Sequence, residues 1–203
     1  TSGHNSVAFG YYAGGVATTG IHNSYIGSRS GSGYESTSTA NYNTAVGSQA
    51  LGRVTTGGTN VAVGAWAGQQ MTTGTNNVFL GYKAADGLTT GSYNIAIGES
   101  ALDGVSSTDN NIGLGRESGA TGAGGNCIMI GTSAYASSSS ATNEITLGNT
   151  AITKFRIPGI NFTVKDTVAT EDYVLTVDAN GEAGWEAAGG GGATDIDGLT
   201  DAI

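Results

Sequence analysis

The sequence predicts an all-β protein built as a parallel β-solenoid or β-roll, in which the chain winds into stacked coils. Three observations predict it. A short pattern recurs at nearly constant spacing, its apolar positions lie two residues apart, and a glycine closes every copy. Composition agrees: 36 of 203 residues are glycine, about 18% where proteins usually carry roughly 7%. The 38% hydrophobic content and 11% charge argue against disorder, which goes with more charge and fewer apolar residues.

Other classes fall away on the same numbers. Collagen needs glycine at every third position with abundant proline, and here there is one proline. One cysteine excludes a disulfide scaffold. No apolar run approaches the ~18 residues of a membrane span, so no membrane insertion of this segment is expected. The first residues carry no charged-then-apolar signal segment. Seven Lys plus Arg against sixteen Asp plus Glu, a net charge of −9, leaves no basic track for nucleic acid.

The coils are read from nine copies of apolar, small, apolar, Gly. Their anchors are Gly10, Gly27, Gly47, Gly64, Gly81, Gly98, Gly115, Gly131 and Gly148, at intervals of 17, 20, 17, 17, 17, 17, 16 and 17. Seventeen residues are too few for a helix-pair repeat, which needs about 33 or more. Alternation by two is the period of a strand. Three residues after each anchor stands Ala or Ser, as at Ala50, Ala67 and Ala84. Asn opens most copies, as at Asn43, Asn60, Asn77, Asn94 and Asn111, and stacked coils would let these amides form a ladder. Turn strings such as Thr55-Thr56-Gly57 and Thr72-Thr73-Gly74 separate the strands.

Each strand has two faces. The residue before the anchor and the one two earlier are mostly Val, Ile or Leu and share a face. The residue between them, at Ala8, Tyr25, Ala45, Ala62, Phe79, Ala96 and Met129, lies on the other, expected here to be the outer wall. An outer wall facing water should be polar, and this column is small or apolar. A strand apolar on both faces is buried on both, so the middle column is the expected interface with other copies of the chain.

The pattern Asn43-Thr44-Ala45-Val46-Gly47-Ser48-Gln49-Ala50 resembles the YadA-type head repeat of trimeric autotransporter adhesins, which is also similar to segments of bacteriophage tail fibres. The resemblance covers about residues 4–152. It implies a left-handed β-roll, a homotrimer with two further copies of this chain as partners, and a role in attachment. The family's unit is shorter, around fourteen or fifteen residues, so longer turns are expected here.

The period ends at Ile152, which sets the repeat domain at 1–152. Residues 153–188 are expected to form a β-hairpin cap and trimer lock. An alternating segment Ile160–Val164 is followed by Tyr173–Val177 and Ala183-Gly184-Trp185 around Asn180-Gly181. Phe155, Phe162 and Trp185 would close the open sheet end. A glycine linker spans 189–193, and 194–203 read as the start of a further segment, so the chain is expected to be a slice of a longer fibre. Phe155-Arg156-Ile157-Pro158-Gly159, the hairpin, the glycine run and Ile196-Asp197-Gly198-Leu199-Thr200-Asp201 together resemble C-terminal parts of phage fibre proteins. That likeness places the expected location on a virion appendage, with a bacterial surface adhesin head as the alternative.

No catalytic, metal or cofactor constellation stands out, and a non-enzymatic structural protein is expected. His4 and His22 each sit just before an Asn in successive repeats and read as turn residues; Cys127 occupies the Asn slot and reads as a small buried residue. Asp86 and Asp103 occupy equivalent places in adjacent coils. Stacking would bring them to ~5 Å, the separation of a retaining glycosidase pair, which keeps a tailspike-like glycan hydrolase as a further alternative. The second residue after the anchor varies most: Tyr12, Arg29, Gln49, Trp66 and Lys83 lead this stripe. Aromatic faces beside cations suit sugars and anionic glycans, which makes the stripe the candidate site for a cell-surface glycan or protein receptor. Variation there also marks a solvated face on which the fold makes no demand, and that plain reading is the first to be set against binding.

Overall fold

A computed structural model describes residues 5–15, 19–33 and 38–153, and the backbone of two strands beyond them, Tyr173–Val177 and Ala183–Ala187. The chain divides into two units, residues 1–154 and 155–203.

The first unit is a parallel β-solenoid. Its strands are three residues long: β1 Val7–Phe9, β2 Ser24–Ile26, β3 Thr44–Val46, β4 Val61–Val63, β5 Val78–Leu80, β6 Ile95–Ile97, β7 Ile112–Leu114, β8 Ile128–Ile130 and β9 Ile145–Leu147. They form one nine-stranded sheet in chain order, every neighbouring pair parallel. Equivalent repeat positions pair, as in Thr44↔Val61, Ala45↔Ala62 and Val46↔Val63. The anchor glycine ends each strand because nothing else fits. Gly47 has φ +135, and a Cβ there would stand 2.5 Å from the Gly64 carbonyl oxygen of the next coil.

The interior holds the Asn column, the middle residue of strands β2 to β8, and residues three, four and seven after the anchor. Ala50, Leu51, Val54, Ala67, Met71, Ala84, Leu88, Ala101, Leu102 and Val105 are buried. The buried asparagines bond coil to coil. Asn77 Oδ1 accepts from the Asn94 backbone N–H at 2.8 Å, and its Nδ2 donates to Gly91 O at 2.9 Å and to Asn60 Oδ1 at 3.0 Å. The same bonds recur at Asn43, Asn60 and Asn94. Cys127 continues the column as a buried thiol whose N–H donates to Asn111 Oδ1. Glu144 ends it. Hydrogen bonds from the Ser137 hydroxyl and N–H, then from Thr146, hold its carboxyl below the usual carboxylate range.

The strand faces are the reverse of the sequence expectation. Tyr25, Ala45, Ala62, Phe79, Ala96 and Met129 are core residues of their own chain, at most 2% exposed, and Ala8 is exposed on the first coil. None of the buried six can meet another copy. The flanking aliphatics point outward instead, with Val61, Val78, Leu80, Ile97 and Ile130 between 38 and 48% exposed. The physical reason is width. The turn columns already fill the narrow coil with Leu, Val and Met, which leaves each strand room for one inward side chain, usually a small one. Burial pushes the inward Tyr25 phenol up to about 12, moderated by its hydrogen bond with Asn43.

In the second unit, β10 Tyr173–Val177 and β11 Ala183–Ala187 pair antiparallel, with Leu175 opposite Trp185. This is the hairpin expected from Asn180-Gly181. The expected strand Ile160–Val164, the Phe155, Phe162 and Trp185 side chains of the cap, the linker and the tail lie outside the described residues.

Candidate binding surface

The variable stripe lies on the turn that follows the anchor, where the backbone is left-handed. Tyr12, Arg29, Gln49, Trp66, Lys83, Ser100, Glu117 and Ser133 have φ between 51 and 60. The fold therefore does make a demand at this column, on conformation rather than on side chain. Left-handed backbone costs about 1–2 kcal/mol for residues other than Gly, with Asn and Asp tolerating it best. A second left-handed column, one place before the Asn position, uses Asn at positions 5, 76, 110, 126 and 143 and His22, Tyr42, Thr59 and Tyr93 in the other four coils. The stripe has neither Gly nor Asn nor Asp in those eight coils.

The structure divides the stripe in two. Tyr12, Arg29 and Gln49 line an open groove of about 430 Å³ together with Tyr11, Arg53 and Gln69. Gln69 Nε2 donates to Gln49 Oε1 at 2.6 Å, and Arg53 Nη1 donates to Gln70 Oε1 at 2.6 Å, so both walls are braced between coils. Trp66 and Lys83 form a separate cluster with Tyr82. Lys83 Nζ lies 5.7 Å from the Trp66 ring centre and 5.9 Å from that of Tyr82, and the two rings meet edge to face at 5.3 Å.

Tyr11, Arg53 and Gln69 were not legible as site residues, because they stand one, six and five residues after their anchors. A reading by single columns separates them from the stripe, whereas the folded turn lays them beside it. Arg53 offered the one signal. It is a cation in a nearly uncharged stretch, four residues past Gln49 of the stripe.

Charge is segregated along the solenoid. In sequence, residues 1–85 carry Arg29, Arg53 and Lys83 against Glu35 alone, a net of +2. Residues 86–153 carry Arg116 against Asp86, Glu99, Asp103, Asp109, Glu117 and Glu144, a net of −5. Arg116 is spent in an ion pair with Glu117 at 2.6 Å.

The two stacked acids are held differently. Burial, then the neighbouring Asp103, hold the Asp86 carboxyl above its ordinary range, against Lys83 and Arg53, and its Oδ1 has no hydrogen-bond partner. Asp103 Oδ1 accepts from the Gly87 N–H at 3.1 Å. His22 sits on an exposed turn with φ 58 and stacks on Tyr42 at 5.0 Å, while His4 lies outside the described residues. Among the described residues no three His, Cys, Asp or Glu side chains group to hold a metal, and no helix is long and apolar enough to cross a membrane.

These features define a class, the parallel β-solenoids with a braced polar groove on one turn. No protein-family model matches the chain, and no curated protein or solved structure matches it either.

Proposed function

We propose that this chain is a shaft and attachment segment of an extracellular fibre, three copies packed side by side, of the kind borne by bacteriophage tails or appendages. The observation that supports this reading is the outer face of the nine-stranded sheet. Its two columns run from Val7 and Phe9 to Ile145 and Leu147, and sixteen of the eighteen positions are apolar, Ser24 and Thr44 being the exceptions. At ~4.8 Å per strand the face is ~40 Å long. An apolar strip of that extent needs a cover.

A further copy of the chain is the cover that fits. It presents the same side chains at the same axial repeat, so contacts made in one coil recur in all. The strip also carries no charge, so chains of net charge −9 can meet there without opposing like charges. The number three comes from the likeness to the trimeric adhesin head repeat, and the fibre setting from the phage-like segment after Ile152. Mass measurement in solution tests the assembly. The expected value is three times the 20.1 kDa of one chain, and a monomer at micromolar concentration would overturn the reading.

A further inference from the structure

We infer that the groove between Arg29 and Arg53 binds an acidic oligosaccharide, its anionic substituent a carboxylate or sulfate. The inference rests on the attachment reading and names the chemistry of what is attached.

Four observations converge on it. The first is shape: about 430 Å³ lies within the range of small-ligand sites and is open at the surface, as a polymer end or side branch requires. The second is chemistry. Two guanidinium groups line one groove: Arg29 can grip an anionic group through a two-pronged hydrogen bond, and Arg53, held by Gln70, adds its positive charge beside it. The Tyr11 and Tyr12 rings, 6.4 Å apart and both exposed, offer faces for the C–H side of a sugar ring. The Gln49 and Gln69 amides can meet hydroxyls, and their mutual hydrogen bond fixes them in place.

The third observation is electrostatic. The groove gathers two of the four cations among the described residues, on a chain whose net charge is −9. A nucleic-acid backbone would need cations continuing along the rod, and past Lys83 the coils turn acidic. The fourth is conformational. Tyr12, Arg29 and Gln49 occupy left-handed backbone that Gly or Asn would adopt at less cost, in a chain with 36 glycines. The same left-handed backbone recurs at Trp66, Lys83, Ser100, Glu117 and Ser133, so the conformation belongs to the repeat, and what is particular to the groove is that Tyr, Arg and Gln stand there.

The test is titration calorimetry on the 203-residue protein with a tetramer of galacturonic acid, a sulfated disaccharide and neutral maltotetraose. Binding of the uronate or the sulfated sugar, weakened by salt, is expected, and the two arms tell which anion is taken. Arg29→Asn, chosen because Asn keeps the left-handed backbone, and Arg53→Ala should each weaken binding about tenfold or more. Arg116→Ala should leave it unchanged, and all three variants should keep the parent strand content by circular dichroism. Binding of neither acidic sugar, equal binding of maltotetraose, or unchanged affinity in both groove variants overturns the proposal. A trimer mass with no sugar binding removes this site and leaves the shaft reading standing, so the two fail separately.

Discussion

At Asn60, Asn77 and Asn94 a single buried side chain answers backbone groups in two directions, accepting from the next coil's N–H and donating to a turn carbonyl. Each amide sits where water cannot replace it. Asn77→Ala would strand the Asn94 N–H and the Gly91 carbonyl together, and each unsatisfied buried group costs about 1–3 kcal/mol. The expected loss is therefore roughly 2–5 kcal/mol in denaturant unfolding. Thr90→Ala on the exposed turn should stay within about 0.5 kcal/mol. An Asn77→Ala loss no larger than that of Thr90→Ala would mean the ladder is incidental. This column was legible in the sequence, because Asn recurs at one place in the repeat. Its burial was less so, although it shares strand parity with the middle column, and that parity was the available clue to which face points inward.

Within each coil the core is balanced by size. Where the strand supplies a large side chain, the facing turn supplies glycine. Phe79 packs over Gly68, where a Cβ would stand 2.7 Å from its ring, and Met129 lies over Gly119, where a Cβ would stand 3.0 Å from the sulfur. Where the turn supplies Leu102, the strand residue is Gly113. Gly68→Ala should therefore destabilise by about 1–3 kcal/mol through overpacking, plus about 1 kcal/mol for its φ of +59. Adding Phe79→Leu relieves the overpacking but not the φ penalty. The double variant should fall short of the summed single losses by at least about 0.5 kcal/mol. Strict additivity would show that ring and turn do not share the space. The sequence displays both columns as variable, and their compensation appears only when the turn is folded against the strand.

At the scale of the molecule, the outer aliphatic face decides between one chain and several. Leu80→Lys and Ile97→Lys sit at positions exposed in the single chain, where surface substitutions usually change stability by no more than about 0.5 kcal/mol. In a trimer each would place charges inside an apolar interface, three times over. The expected result is dissociation, read as a fall from the trimer to the monomer mass with strand content retained. An unchanged assembly would show that this face is not the interface. The expectation that a second apolar face needs a cover led to a proposed docking surface, on the side of the strand opposite to the one the sequence reading chose.

The sequence by itself determined the coil, its seventeen-residue period, the nine strands and the glycine that ends each one, while each strand begins one residue after the Asn position expected to open it. These follow from local chemistry repeated in register: alternation by two, a glycine that alone fits between stacked carbonyls, and an asparagine at a fixed offset. Which face turns inward was decided only in three dimensions. Alternation separates two faces without labelling them, and the label depends on how much width the turns leave between opposite walls. The groove was also decided there, since Arg53 and Gln69 reach Arg29 and Gln49 only when the left-handed turn sets different repeat positions side by side.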